Sequence, residues 1–199
     1  MFASFVKRFL PVDILLFLIA LASAYGYWLF YSVGDNALAG WYLPQTINEL
    51  IQSLAFWKLL TPSFIHFNEI HLISNVVLLW FFGRTISERS LNWFIGLLLS
   101  AALVSNSAEW AASGPLFGGL SGVVSACVGF IAFDHFFAKS RQFKVESWII
   151  IAFFVYLVVV SSGYFGLYSN AAHFSGAVWG ILVGALQSKL QPKEVKESQ

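Results

Sequence analysis

The sequence predicts an all-α polytopic membrane protein in which six transmembrane helices form a bundle. Hydrophobic residues make up 58% of the 199 positions and charged residues only 11%, whereas soluble domains have about 45–50% and about 25%. Six apolar stretches approach the roughly 20 residues that a helix needs to cross the hydrocarbon core. Basic residues are concentrated in alternate loops between these stretches. Together, these three observations define the fold class.

The six predicted spans are joined by short connections, except for one long loop over residues 34–68. The spans cover residues 12–33, 70–86, 93–110, 119–137, 148–165 and 170–190. We expect residues 12–190 to form one domain, preceded by a short cytoplasmic segment, 1–11. The polar segment 191–199 has the composition of a disordered cytoplasmic tail.

The first span has an alternative interpretation as a cleaved signal peptide. Lys7 and Arg8 precede the apolar run, and Ala22-Ser23-Ala24 has the small-x-small form of a cleavage site. However, the apolar run continues through Tyr31, which makes it longer than a signal sequence and long enough to span the bilayer. We therefore expect a retained helix.

The distribution of basic residues predicts the orientation of the protein. Ten of the eleven lysine and arginine residues fall on one side, and only Lys58 falls on the other. The positive-inside rule makes the basic side cytoplasmic, together with both termini. The compact form and the absence of a targeting peptide predict a multi-pass protein of a bacterial inner membrane, surrounded by membrane lipids. The ten residues are Lys7, Arg8, Arg84, Arg89, Lys139, Arg141, Lys144, Lys189, Lys193 and Lys196.

Composition also limits partners and cofactors. The formal net charge of +1, without a dense basic patch, argues against binding to nucleic acid. The single cysteine, Cys127, excludes an internal disulfide, and no C-x-x-C motif is present. We therefore predict no cofactor and no metal.

The long loop 34–68 is predicted to lie outside the membrane, at the level of the lipid headgroups. It is rich in aromatic residues, among them Trp41, Tyr42 and Trp57, whose rings favour the membrane interface. Residues 48–57 are predicted to form one short interfacial helix. The loop is either a structured connector or a direct contact for a substrate.

Polar side chains occur at one depth in three of the predicted spans. Spans two, four and six all enter the membrane from the outer face, so their first turns lie at a similar depth. Polar and ionisable residues there are energetically expensive, and they mark a functional site opening to the outer face. These residues are His66, His71, Asn75, Ser121, Asn170 and His173.

The segment around Ser121 has the features of a nucleophile site. Gly118 and Gly119 precede the serine and Gly122 follows it, which allows an extended approach, a tight turn and close backbone packing. A serine hydroxyl needs a base to take its proton, and His173 is available at the same depth. The free N–H groups at the start of span four suit an oxyanion.

Small residues predict close packing between spans four and six. Gly176, Gly180 and Gly184 form a small-xxx-small stripe that Ala172 extends at the same spacing. On span four, Ser121, Ser125 and Gly129 recur at the same interval. We expect these two faces to meet, with Ser121 and His173 near the outer end of the contact.

Three motifs between Trp57 and Leu190 resemble those of the rhomboid family of intramembrane serine proteases, in particular the bacterial six-helix type. The motifs are His66-Phe67 with His71-x-x-x-Asn75, Ser113-Gly114-Pro115-x-Phe117-Gly118-Gly119-Leu120-Ser121-Gly122-Val123-Val124, and Asn170-x-Ala172-His173-x-x-Gly176. The resemblance implies a Ser121–His173 dyad that cleaves transmembrane protein substrates. It also implies an oxyanion hole of His71, Asn75 and the Ser121 backbone N–H, with His66 shaping the outer side of the site.

The sequence departs from this family at Ser125, where members usually carry a tyrosine whose ring packs on the catalytic histidine. The Ser125 hydroxyl could bond His173 and fix its tautomer, a water molecule could fill the space, or the serine could only pack. Two smaller departures are Lys58, in place of an arginine, and Glu88, shifted by one position. Lysine cannot form the bidentate contacts of arginine.

Several other functions compete with an intramembrane serine protease. A zinc protease is disfavoured because His66 and His71 are five residues apart, which turns them to different helical faces. A transporter would place polar residues at the bilayer midplane and show a repeat. A non-catalytic rhomboid-like protein that binds membrane clients usually lacks the serine or the histidine. A specialised peptidase for C-terminal sorting tails would share the scaffold and the dyad.

Two further features of the sequence bear on the mechanism. Asp134 is thirteen positions after Ser121, about 20 Å along a helix. It is therefore too far away to extend the Ser121–His173 dyad to a triad, and no other acidic candidate is evident. Water must reach the site, and we expect a mobile loop over Gly166–Asn170 to cap an outward-open cavity.

Overall fold

The chain forms an all-helical bundle, which confirms the predicted fold class. A computed structural model describes residues 2–138, 143–162 and 169–190, with side chains from residue 11 onward. These ranges contain seven α-helices and no strand. The helices are α1 (Phe2–Val33), α2 (Ile47–Ser53), α3 (Glu69–Ser87), α4 (Leu91–Ser113), α5 (Ser121–Phe136), α6 (Ser147–Ser161) and α7 (Asn170–Leu190).

The six long helices correspond to the six predicted spans. Of the described helices, α1 from Pro11 onward, α3 and α4 have the length and apolar composition of membrane spans, whereas α5 and α6 are apolar but shorter. Side-chain caps fix two of the helix starts. Asn68 Oδ1 accepts a hydrogen bond from the His71 N–H at 2.8 Å, and Ser90 Oγ accepts one from Trp93 at 3.3 Å.

Helix α1 is longer than its predicted span. It begins at Phe2 and contains Pro11. Residues 2–11, which were predicted as a separate segment, are therefore part of this helix. The predicted tail 191–199 and most of the predicted cap at residues 166–170 lie outside the described residues.

Helix α5 lies at the centre of the bundle. Residues 122–132 are all buried, and α5 packs against α3, α4, α6 and most extensively α7. A helix that is buried on every side has little freedom to shift, because protein interiors are closely packed. The elements that carry Ser121 and His173 are therefore the two most tightly joined.

Glycines allow α5 and α7 to approach closely, as predicted, but α5 uses a different face from the one expected. A Cβ on Gly176 would overlap the Gly122 carbonyl oxygen, and a Cβ on Gly180 would overlap that of Ala126. The predicted stripe of Ser121, Ser125 and Gly129 is thus only partly right: Ser121 meets α7 through His173, but Gly122 and Ala126 form the close contact with the glycines of α7. One residue is a rotation of about 100°, and this rotation turns both serines towards a cavity instead.

The outer loop 34–68 is folded, but its single predicted helix is divided. Helix α2 ends where Leu54 adopts a left-handed conformation, with φ of 54°. A short 3₁₀ helix, Phe56–Leu59, then follows, and a second spans Thr61–Phe64. The prediction of one helix over 48–57 was therefore wrong, because composition gave no sign of the reversal at Leu54.

Hydrogen bonds hold this loop to itself and to the bundle. Thr61 Oγ1 donates to the Trp41 carbonyl at 2.6 Å, and Lys58 Nζ donates to the Ala39 carbonyl at 3.2 Å. Trp110 Nε1, on α4, donates to the Pro44 carbonyl at 2.9 Å. The last of these contacts holds the loop against the final turns of α4.

Two polar contacts fix α1 antiparallel to α3. Arg84 forms an ion pair with Asp13 at 2.9 Å, while Tyr27 donates a hydrogen bond to Glu69 at 2.6 Å. The first part of α1 therefore lies beside the end of α3. At the opposite end of the bundle, the last turns of α1 lie beside the start of α3. Helices α5 and α7 begin at the same end as α3, because Ser121, His71 and His173 line one cavity.

Candidate active site

Ser121 and His173 face each other between the first turns of α5 and α7. Ser121 Oγ lies 2.8 Å from His173 Nε2, which is hydrogen-bonding distance. His173 is only 4% exposed. Its Nδ1 has no hydrogen-bond partner within the described residues. The imidazole can therefore accept the serine proton at Nε2 when Nδ1 carries hydrogen.

Gly119 shapes the approach of the chain to Ser121. Its φ of 125° lies in a region that favours glycine, and its N–H donates to the Pro62 carbonyl at 3.0 Å. Two residues later α5 begins at Ser121, and its N-cap residue, Leu120, provides no side-chain hydrogen bond. The first N–H groups of α5 have no intrahelical partner and carry partial positive charge.

His71 and Asn75 approach the same backbone turn from α3. A Cβ on Gly119 would lie 2.6 Å from His71 Nε2 and 3.5 Å from Asn75 Nδ2. Asn75 is 4% exposed, and its Nδ2 has no hydrogen-bond partner among the described residues. A buried amide donor without a partner is costly unless it binds something else. Both side chains thus lie beside the turn that leads into Ser121 and line one cavity with it.

A small cavity of about 40 Å³ opens beside His71 and Asn75. It has room for at most a few water molecules, since one water needs about 10–15 Å³ of such volume. The cavity lies between α3, α5, α6 and α7. Its lining consists of His71, Ser74, Asn75, Leu78, Ser121, Val124, Ser125, Phe153, Tyr156, Leu157 and His173.

His66 packs behind His71, with ring centroids 4.9 Å apart. It is completely buried, and its Nδ1 lies 3.3 Å from the Phe64 carbonyl oxygen. Burial, together with the neighbouring His71, lowers the pKa of His66 to about 3. The residue is therefore neutral near pH 7 and packs against His71, while its role in shaping the site stays a prediction.

Ser125 does not bond His173. Its hydroxyl donates to the Ser121 carbonyl oxygen at 2.8 Å, a bond to the preceding turn that serines often form in helices. The alternative in which Ser125 fixes the tautomer of His173 is therefore wrong. Gly122 packs tightly, as predicted: a Cβ there would lie 2.5 Å from Ser105 Oγ and 3.3 Å from the Ala172 carbonyl oxygen.

Two groups near the site were missed by sequence reasoning. Phe153 and Tyr156, on α6, line the cavity, and no sequence signal indicates which face of this uniformly apolar helix turns inward. Glu109, on α4, accepts a hydrogen bond from the Ala172 N–H at 3.0 Å. An acidic residue inside the predicted span 93–110 was a signal, because such residues are expensive in a membrane.

Comparison with known proteins is consistent with this arrangement. The rhomboid domain family matches residues 53–190. The rhomboid protease GlpG of Serratia proteamaculans is 32% identical over 164 residues, which cover 79% of this chain and 56% of that protein. The rhomboid protease GlpG of Yersinia enterocolitica is 30% identical over 162 residues, with the same coverage of 79% and 56%.

A third relative, the rhomboid protease GlpG of Photorhabdus laumondii, is 31% identical over 134 residues, which cover 66% of this chain and 48% of that protein. The chain thus spans about half the length of the curated relatives that it matches. The family match covers more than half of this chain and includes every predicted site residue. The chain therefore belongs to the rhomboid family, and it is an integral membrane protein.

Proposed function

We propose that this protein is an intramembrane serine endopeptidase that hydrolyses peptide bonds in or near the transmembrane segments of other membrane proteins. The observation that carries this proposal is the 2.8 Å separation between Ser121 Oγ and His173 Nε2. A serine at hydrogen-bonding distance from a buried histidine is the arrangement of an activated nucleophile. The names of the relatives, all rhomboid proteases, support the same reaction class.

The reaction begins when His173 Nε2 takes the proton from Ser121 Oγ and the serine oxygen attacks a peptide carbonyl carbon. His173 then gives the proton to the leaving amine, and an acyl-enzyme remains on Ser121. A water molecule, deprotonated by His173, attacks the ester and releases the acid product. Asp134 takes no part, because its Oδ2 accepts the Phe143 N–H at 3.1 Å, at the opposite end of α5.

The negative oxygen of the tetrahedral intermediate needs hydrogen-bond donors. The Ser121 backbone N–H, His71 and Asn75 supply them in this proposal. The observation that supports it most directly is that Asn75 Nδ2 is buried and has no partner among the described residues. Loss of one such donor lowers the rate by about 10² to 10³ in comparable hydrolases. The small adjacent cavity has room for the water that deacylation consumes.

The site lies near one end of the bundle. This location supports the proposal that the substrate is a membrane protein that enters from the membrane. The ion pair of Arg84 with Asp13 marks the opposite, basic end, which the positive-inside rule assigns to the cytoplasm. In this orientation both termini are cytoplasmic, and the site opens to the outer face of a bacterial inner membrane. A substrate helix would have to unwind locally near that face, since a protease reads extended backbone.

Labelling with a fluorophosphonate, a probe for activated serines, tests the proposal in detergent or lipid vesicles. Wild type should be labelled, whereas Ser121→Ala and His173→Ala should lose labelling by several orders of magnitude. Ser175→Ala is a matched control, because its hydroxyl bonds the Ala171 carbonyl of its own helix at 2.6 Å. This control should be labelled like wild type.

Cleavage of a transmembrane reporter should likewise be lost in Ser121→Ala and His173→Ala and retained in Ser175→Ala. Folded wild type that is neither labelled nor active would contradict the protease proposal and favour a client-binding rhomboid-like protein. Cleavage restricted to C-terminal sorting tails would instead favour the specialised peptidase, which uses the same dyad.

A further inference from the structure

Glu109 is a buried carboxylate that the proposed reaction does not use. It lies in the last turns of α4 and is only 2% exposed. An acidic side chain in an apolar span is energetically expensive, so a specific contact must compensate for its burial.

That contact joins α4 to the beginning of α7. Glu109 Oε2 accepts a hydrogen bond from the Ala172 N–H at 3.0 Å. Since α7 begins at Asn170, Ala172 carries one of the first-turn N–H groups that lack a partner within the helix. A carboxylate is also favoured at this positive end of the helix dipole. Glu109 therefore acts as a cap supplied by a different helix.

The capped turn carries the candidate base. His173 follows Ala172 directly, and its imidazole is bonded only to Ser121 among the described residues, because its Nδ1 has no partner. The orientation of the ring therefore depends on the backbone that bears it. That backbone is held by the bond from Glu109 to Ala172 and by the bond from the His173 N–H to the Ser169 carbonyl at 3.1 Å.

The same junction also contacts the helix of the nucleophile. Ser105 lies one turn before Glu109 on α4, and Gly122 lies directly after Ser121 on α5. A Cβ on Gly122 would meet Ser105 Oγ at 2.5 Å and the Ala172 carbonyl oxygen at 3.3 Å. Helices α4, α5 and α7 thus meet without spare room, and a shift of the first turn of α7 changes the distance between Ser121 and His173.

We propose that Glu109 is a positioning residue, which caps α7 from α4 and so holds His173 at hydrogen-bonding distance from Ser121. Its catalytic consequence rests on the proposed function, whereas the cap itself does not. Glu109 touches neither the substrate nor the reacting atoms. The essential property is an acceptor oxygen at the end of a side chain of this length, so glutamine should replace it better than aspartate.

The test compares Glu109→Ala, Glu109→Gln and Glu109→Asp in the full chain, with cleavage kinetics, fluorophosphonate labelling and amide hydrogen exchange of residues 170–175. Glu109→Ala should lower kcat and the labelling rate by about tenfold or more, because small misplacements of catalytic groups have effects of this size. KM should remain unchanged. Exchange of the Ala172 N–H should accelerate. Glu109→Gln should stay within about threefold of wild type, since its amide oxygen still accepts the bond.

Ser90→Ala is the matched control, because Ser90 caps the other end of α4 through the Trp93 N–H at 3.3 Å. It also removes a side-chain cap from a helix of the bundle but should leave kcat unchanged. If Glu109→Ala does not fold, the other two variants decide: glutamine should exceed aspartate in labelling and in protection of Ala172. Aspartate equal to or better than glutamine would overturn the proposal, because charge and not reach would then matter.

The readouts separate this proposal from the proposed function. Wild type that cleaves no substrate would contradict the protease assignment, while hydrogen exchange at Ala172 would still show whether Glu109 holds the turn. Wild-type exchange and labelling in Glu109→Ala would overturn the positioning role, even if wild type is an active protease.

Discussion

The Ser125 hydroxyl donates to the Ser121 carbonyl oxygen at 2.8 Å, one turn back along α5. The bond uses the backbone of the candidate nucleophile, and it leaves the imidazole of His173 without a side-chain partner at Nδ1 within the described part of the chain. The family's usual tyrosine at this position is thus replaced by a residue that does not support the histidine. Support for His173 must come from its backbone and from the residues that line the cavity.

Replacement of Ser125 by alanine should leave cleavage nearly unchanged. The lost bond is local to the helix and contributes little, since alanine favours a helix and the Ser121 carbonyl retains its place in the backbone ladder. The measurement is kcat/KM on a transmembrane reporter in vesicles, with Ser121→Ala as the inactive reference. A decrease well above tenfold would show that the hydroxyl acts on His173 after all.

Replacement of Gly119 by alanine should reduce kcat by at least about tenfold, because it displaces one proposed oxyanion donor. The new Cβ would lie 2.6 Å from His71 Nε2, and the φ of 125° is strained for alanine. Cleavage kinetics of the purified variant in vesicles measure the effect.

Gly114 provides the control for backbone strain in the same loop. Its φ is also positive, at 81°, but a Cβ there would meet no atom of the described residues within 4 Å. Gly114→Ala should lower stability by about 1–3 kcal/mol and leave kcat intact. Equal losses of kcat in both variants would show that strain, and not contact with His71, causes the effect.

The sequence predicted the spans because apolar runs are a strong local signal, and it predicted the proximity of Ser121 and His173 because both are polar residues at one predicted depth. Apolar runs of membrane length have few alternative structures, and polar residues at a common depth must find each other. The left-handed turn at Leu54 carries no such signal, because leucine rarely adopts that conformation. It divided the predicted helix of the outer loop.

The contact face between α5 and α7 was predictable only to within one residue. Helix α5 offers two adjacent small stripes, one with Ser121 and Ser125 and the other with Gly122 and Ala126. Either stripe permits close approach, so spacing alone cannot choose between them. In the structure, the two serines line the polar cavity, and Gly122 and Ala126 meet the glycines of α7. The polar groups around the cavity therefore determine which stripe packs against α7. Glu109 was missed for a related reason, since its partner is a backbone N–H.

Replacement of Gly180 by alanine should destabilise the bundle by about 1–3 kcal/mol, as overpacking does in closely packed interiors. The added Cβ would overlap the Ala126 carbonyl oxygen and lie 2.7 Å from its carbonyl carbon, both in the backbone of α5. Thermal unfolding in detergent measures the change. Gly96 lies in the interior of α4, and a Cβ there would meet no other atom within 4 Å in the described part of the chain. Gly96→Ala should therefore be neutral or slightly stabilising. Equal stabilities of the two variants would contradict tight packing of α5 against α7.

Stability should decline as the pH falls below about 6.5, in part because of His66. Burial first, and then the neighbouring His71, lower the pKa of His66 from 6.5 to about 3. The unfolded chain therefore takes up a proton between these values while the folded protein does not. The stabilisation is complete above about pH 6.5 and is lost towards pH 3, by up to about 1.4 kcal/mol per pH unit. Thermal unfolding of wild type and His66→Gln at about pH 7.5 and about pH 5 isolates this contribution. Wild type should lose more stability than His66→Gln, and parallel losses would show that His66 is protonated alike in both states.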